Sequence, residues 1–186
     1  AAGNLPIPLA LFVSLSGVLI SLVLGGMLSY FLFFTMILYL LLQVIYTNYL
    51  KTQPIIDVMA IALGFIARVV AGASAISVHV SNWLFLCTLL LSIFLGFAKR
   101  RAELSVLEGG ASAHRSNLAD YSLSMIDQMM SISASATILA YGLYTVSKET
   151  IDRVGGDHLK YTVPCVIYGV FRYIFLVHKH GAGGAP

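Results

Sequence analysis

Long apolar runs, interrupted at uneven intervals by short polar stretches, occupy most of the chain. Six of them are long enough to be spans: Ile7–Leu24, Tyr30–Tyr46, Ile55–Val78, Trp83–Ala98, Ser122–Val146 and Tyr161–Val177. A bilayer core needs about 20 apolar residues per helix, whereas barrel strands are about 10 residues long and alternate. Continuous runs of this length predict helices. Gly25 and Gly26 separate the first run from the second, and Pro54 opens the third at a position where a missing N–H costs nothing. The expected fold is all-α, a polytopic transmembrane helix bundle in which residues 1–186 form a single transmembrane domain.

Composition strengthens that picture. The chain is 59% hydrophobic and 10% charged, where soluble domains carry about 25% charged residues. So few charges cannot cover a water-facing surface, and the lipid bilayer is the expected surroundings. Cys87 and Cys165 each lie inside an apolar run and are expected to be buried, inert thiols. The chain opens without a Met, a basic leader or a cleavage site and closes in a loop-like stretch. Both ends are expected to be cuts in a longer membrane protein.

The net charge of +3 matters less than its distribution. Six alternating spans put Lys51, Lys99, Arg100, Arg101, Arg115 and Lys179 on one side, and Lys148, Arg153 and Lys160 on the other. By the positive-inside rule the first side faces the cytoplasm. The expected location is the cytoplasmic (inner) membrane, multi-pass, with the cation-rich loops inside.

Four charges fall within the spans: Asp57, Arg68, Asp127 and Arg172. Each costs at least about 2.5 kcal/mol at a helix centre, so such residues face a bundle interior or a cavity. Asp57 and Arg68 are close to three turns apart and share a face, with Gly64 and Gly72 flanking Arg68. A cavity role and a structural ion pair with a neighbouring helix are equally open for both. Asp127 continues toward Ser131 and Ser135 as a polar lining, and Arg172 is near enough to a helix end to snorkel.

The segment Lys99 to Tyr121, "KRRAELSVLEGGASAHRSNLADY", is expected to be a long cytoplasmic loop. Connections of that length are usually functional. Arginine forks and lysine point charges suit phosphate oxygens. Carboxylates among them suit Mg²⁺, which takes one or two carboxylates plus substrate phosphates and water. Glu103 and Glu108 are the candidate metal contacts. Tyr46, Tyr49 and Lys51 lie on the same side; the tyrosines also fit an interfacial belt. No zinc spacing, Walker loop or nucleophile elbow is present.

Four stretches together resemble the UbiA superfamily of intramembrane prenyltransferases, and within it the decaprenyl-phosphate phosphoribosyltransferase branch. They are Tyr46–Ala73, Trp83–Leu104, His114–Tyr121 and Tyr161–His178. The resemblance implies a bundle of about nine helices, of which these six would be the third to the eighth. The family's first Asp-rich motif, which supplies its principal Mg²⁺ ligands, has no counterpart here, and the second acidic motif is replaced by Glu103 and Glu108 at a different spacing.

The implied reaction moves 5-phosphoribose from phosphoribosyl diphosphate to a polyprenyl phosphate in cell wall biosynthesis, releasing pyrophosphate. Mg²⁺ is the implied cofactor, and nucleic acid is not an expected partner. Under that resemblance Lys51, Lys99, Arg100, Arg101 and Arg115 are the phosphate contacts, and Glu103 makes an indirect metal or ribose contact. Tyr46, Asp57, Arg68, Tyr121, Asp127 and Arg172 line or brace the cavity. The alternatives are a prenyl transfer from a diphosphate to an aromatic or other acceptor, a transporter with relay charges, and a non-catalytic membrane subunit. The 186-residue segment alone is expected to be inactive.

Overall fold

A computed structural model describes residues 6–108 and 121–180. Among them there are helices and no strands. In chain order the helices are α1 (Ile7–Leu28), α2 (Tyr30–Asn48), α3 (Ile56–Ala75), α4 (Asn82–Glu108), α5 (Leu123–Val146), the short α6 (Lys148–Val154) and α7 (Val163–His180). A 3-10 turn at Leu50–Thr52 follows α2, and another at His158–Thr162 precedes α7. Six helices are long and apolar enough to cross a membrane, which makes this a multi-pass membrane protein.

The helices pack largely in sequence, with α1 on α2, α2 on α3 and α3 on α4, and with α5 against both α4 and α7. The core lies between α3, α4, α5 and α7, around Val58, Phe94, Phe97, Ala98, Ile126, Met130, Ala134 and Val170. Only 6% of the best α1 window is buried, so α1 is the peripheral helix of the described bundle. Between apolar helices in lipid, close packing and hydrogen bonds hold the pairs together rather than escape from water. Gly96 shows how tight that packing is. A Cβ there would lie 2.7 Å from Cγ1 of Val58, a β-branched side chain with no exposure at all.

Several boundaries differ from the sequence expectation. Gly25 and Gly26 do not end α1, which runs on to Leu28 and stops where Ser29 accepts a hydrogen bond from the Phe31 N–H and caps α2. Gly25 serves packing instead, since a Cβ there would meet Met36 Sδ at 2.6 Å. The expected loop from Lys99 does not begin at Lys99, because α4 continues unbroken to Glu108 and carries "KRRAEL" as helix. Its lysine and arginines are good helix formers, so polarity there marks departure from the apolar layer and not the end of the helix. The rest of that segment, 109–120, with Arg115, lies outside the described residues.

On α5 the expected polar lining borders an open hollow, where Asp127 and Ser131 meet Ser124, Gln128 and Ile132. Ser131 and Ser135 are exposed and donate to the carbonyls of Asp127 and Ser131 in their own helix. The buried stripe is Ile126, Met130, Ser133, Ala134, Thr137 and Ala140, small residues that let α4 approach. The cysteines are both free, but Cys87 is half-buried and Cys165 exposed, so neither belongs to the core.

Gly96→Ala is expected to lower the thermal stability of the protein in detergent, by about 1–3 kcal/mol as for an overpacked core. Combining it with Val58→Ala should recover most of that loss. Unfolding followed by circular dichroism for the two variants would reveal an unaffected single variant, which is the adverse outcome.

Candidate functional site

The contacts bring the starts of α3 and α5 and the ends of α4 and α7 to one end of the bundle. Pro54 and Ile55 make the entry into α3, with Ile55 held at φ 67° and ψ −48°. A β-branched residue at positive φ is strained by about 1–3 kcal/mol. Its conformation is tied down, because its N–H donates to the Tyr121 hydroxyl at 2.5 Å. Tyr121 in turn donates to Asp57 Oδ1 at 3.3 Å. Burial pushes the Tyr121 phenol above its ordinary pKa; the Ile55 N–H opposes that shift and the Asp57 charge adds to it. The phenol therefore stays protonated and keeps its donor role.

Asp57 is fully buried in the first turn of α3 and faces Arg100, itself 1% exposed, with Nε 3.1 Å from Oδ2. That approach is an ion pair and not an aligned hydrogen bond. Arg100 Nη1 also bonds Glu103, one turn further along α4. Two carboxylates thus face one buried guanidinium. Removing one member of such a set is costly because it strands the others without solvent.

The neighbours of Arg100 go elsewhere. Successive residues of a helix point about 100° apart, so Lys99, Arg100 and Arg101 cannot converge on one phosphate. Arg101 turns to α5 and α7, with Nε 2.5 Å from Asp127 Oδ1 and Nη1 donating to the Val177 carbonyl at 3.2 Å. His178 Nε2 also approaches Asp127 Oδ1, at 3.3 Å. Arg101 and Asp127 clasp three helices. Lys99 is exposed and has no ion pair among the described residues.

Lys99 and Arg100 open onto a groove of about 470 Å³ between α2, α3 and α4. Gln43 and Tyr46 of α2, Gly64 and Arg68 of α3, and Tyr173 of α7 also line it. Gly64 keeps α2 close, since a Cβ there would already touch Tyr39 at 3.6 Å; Gly72 has open space around it. Arg68 donates from Nη2 to the Tyr39 hydroxyl at 2.6 Å, with its guanidinium 5.1 Å from the Tyr39 ring centre and 5.0 Å from that of Phe65.

The expected site residues are therefore divided. Tyr46, Arg68, Lys99 and Arg100 line one groove, with Asp57, Glu103 and Tyr121 bracing Arg100 from outside that lining. Four of the expected residues lie away from that groove. Arg101 and Asp127 form the separate clasp, and Asp127 lines the hollow on α5 instead. Lys51 sits half-buried on the 3-10 turn after α2 and is not part of the lining. Arg172 is exposed, stacks over Phe175 at 5.8 Å and is not part of it either. Arg115 and the Glu108 side chain lie outside the described residues. Sequence reasoning missed Gln43 and Tyr39. The available signal was a lone amide in the apolar run of α2, four residues after a tyrosine that it bonds at 2.8 Å.

No group of three His, Cys, Asp or Glu that could hold a metal occurs among the described residues. Asp57 is committed to Arg100 and Tyr121, and Glu103 to Arg100. These carboxylates do not fit a resident Mg²⁺ cradle.

No family model matches the chain. It is 33% identical over 194 aligned positions to the decaprenyl-phosphate phosphoribosyltransferase of Mycolicibacterium smegmatis, covering 100% of this chain and 60% of that protein. The proteins of the same name from Mycobacterium tuberculosis and Corynebacterium glutamicum are 31% and 27% identical, each over 80% of this chain and over 49% and 44% of their own length. The chain thus spans about half the length of the curated relatives it matches.

Arg100→Met is expected to destabilise the full-length protein by about 3–5 kcal/mol, because Asp57 keeps its buried charge and loses the cation that faces it. Adding Asp57→Asn to that variant should restore much of the loss. Equal and additive effects in a double-mutant cycle by chemical unfolding would contradict the coupling.

Proposed function

We propose, on the premise that this chain is a homologue of the decaprenyl-phosphate phosphoribosyltransferases, that its protein is an integral membrane enzyme transferring 5-phosphoribose from phosphoribosyl diphosphate to a polyprenyl phosphate. The likeness to the M. smegmatis protein along the whole of this chain carries the reading. A lipid phosphate oxygen attacks C1 of the ribose. The C1–O bond to the diphosphate breaks, its electron pair leaves with pyrophosphate, and the new lipid–phosphate–ribose link forms. The nucleophile comes with the substrate, so no side chain need form a covalent intermediate. Catalysis then consists of alignment and of offsetting charge.

The groove supports this chemistry. Lys99 offers, at its charged end, a cation with no ion pair among the described residues, and Arg100 is fixed beside it by Asp57 and Glu103. Leu42, Ile61, Phe65 and Leu95 make apolar walls suited to isoprenoid units. In this reading the protein is of UbiA type in the cytoplasmic membrane, contributes to cell wall biosynthesis, and has its charged end inside. Mg²⁺, when bound, would offset charge on the diphosphate. Its principal ligands would come from beyond the described residues.

Membranes containing the full-length protein should move label from phosphoribosyl diphosphate into a polyprenyl phosphate fraction. Transfer from a prenyl diphosphate to an acceptor, with no ribose label in lipid, would refute the assignment. Lys99→Gln should lower kcat/KM by roughly tenfold or more, the value of one charge-assisted phosphate contact, with unfolding behaviour unchanged.

A further inference from the structure

Arg68 stands out from the other charges on the helices. It lies twelve residues into α3, about 18 Å along the helix at 1.5 Å per residue, which is past the middle of a 20-residue span. Among the described residues no carboxylate pairs with it. Its contacts are the Tyr39 hydroxyl and the faces of Tyr39 and Phe65. A cation at that depth without a counter-charge is costly and by default belongs to a ligand pathway. Here it faces the groove.

The donors around it are incompletely used. The Tyr39 oxygen receives two N–H donations, from Arg68 Nη2 at 2.6 Å and from Gln43 Nε2 at 2.8 Å. Its own proton has no acceptor among the described residues. A guanidinium has five N–H donors in a planar fork, and one of those of Arg68 is engaged with protein. Two aromatic faces hold the fork in place without neutralising it. Asp57 meets Arg100 at the Lys99 end of the groove, and Arg68 is eleven residues further along α3, about 16 Å at the helical rise, so the two open cations lie toward opposite ends.

We propose that Arg68, with Tyr39 and Gln43, is a second anion site that binds a phosphomonoester, while the Lys99 end takes the diphosphate. The assignment rests on the transferase reading above. A planar guanidinium fork matches a monoester's oxygens two at a time. The Lys99 end carries an exposed ammonium on a flexible stem, a point charge that can follow either phosphate of a diphosphate. The monoester is either the 5-phosphate of the sugar substrate or the head of the lipid substrate, and the groove then recognises phosphate at both ends.

The test uses purified full-length protein in detergent and three probes: ribose 5-phosphate, geranyl phosphate and inorganic pyrophosphate, each titrated calorimetrically. Arg68→Gln should weaken one of the two monoesters by roughly tenfold or more and leave pyrophosphate within about twofold. Loss of ribose 5-phosphate assigns the sugar end, and loss of geranyl phosphate the lipid end. Lys99→Gln should give the opposite pattern, weakening pyrophosphate. Tyr39→Phe keeps both ring faces, so it should fold and show a smaller loss in the same monoester. Unchanged monoester binding in both Arg68→Gln and Tyr39→Phe, or an equal loss for all three probes, overturns the second site alone. Failure of every probe to bind the unaltered protein overturns the transferase reading as well.

Discussion

A guanidinium sealed between helices and answered by carboxylates organises this bundle. Arg100 and Asp57 are 1% and 0% exposed, and neither could stay charged there without the other. Glu103 completes the compensation on the side of α4, and Tyr121 does so on the side of α3 and α5. In lipid, apolar faces gain little by meeting one another, so a directional polar contact of this kind can settle which helices meet and in what register. Here it fixes the end of α4 against the first turn of α3. It also draws in Tyr121, which precedes the Ser122 cap of α5.

That internal pairing decides what the groove can offer a ligand. Arg100 contributes position more than field, because its charge is matched within the protein. Among the described residues, the positive charge along the groove that no carboxylate pairs comes from Lys99 at one end and Arg68 at depth. Arg101, equally basic and adjacent in sequence, is tied to Asp127 and to a carbonyl near the end of α7. Three consecutive cations therefore have three occupations: one faces the groove, one holds α3, and one holds α5 and α7.

The spans were legible in the sequence because a bilayer imposes length and apolarity together, and few soluble patterns imitate that. Their ends were less so. Hydropathy falls at Lys99 whether the helix stops or merely leaves the apolar layer, and α4 does the latter. Glycine pairs look like breaks in a water-soluble helix, yet Gly25 lies inside α1 and accommodates Met36. Asp57 and Arg68 could be singled out from the cost of charge in lipid alone. Which residues they meet could not, since Arg100 reaches Asp57 and Tyr39 reaches Arg68 only after helices far apart in sequence pack. The same gap explains Lys51 and Arg172, whose charge was visible and whose direction was not.

The unbroken course of α4 makes its basic triplet a matter of phase. Each side chain reaches its own sector because the helix arrives there at one rotational setting, held from Asn82 onward as one continuous α-helix. Insertion or loss of one residue upstream would turn the sectors by about 100°, exchanging the cation that meets the groove for one that meets protein. Point changes along this rod are local events, whereas any change in its length would rewrite the charge pattern of the whole rim at once.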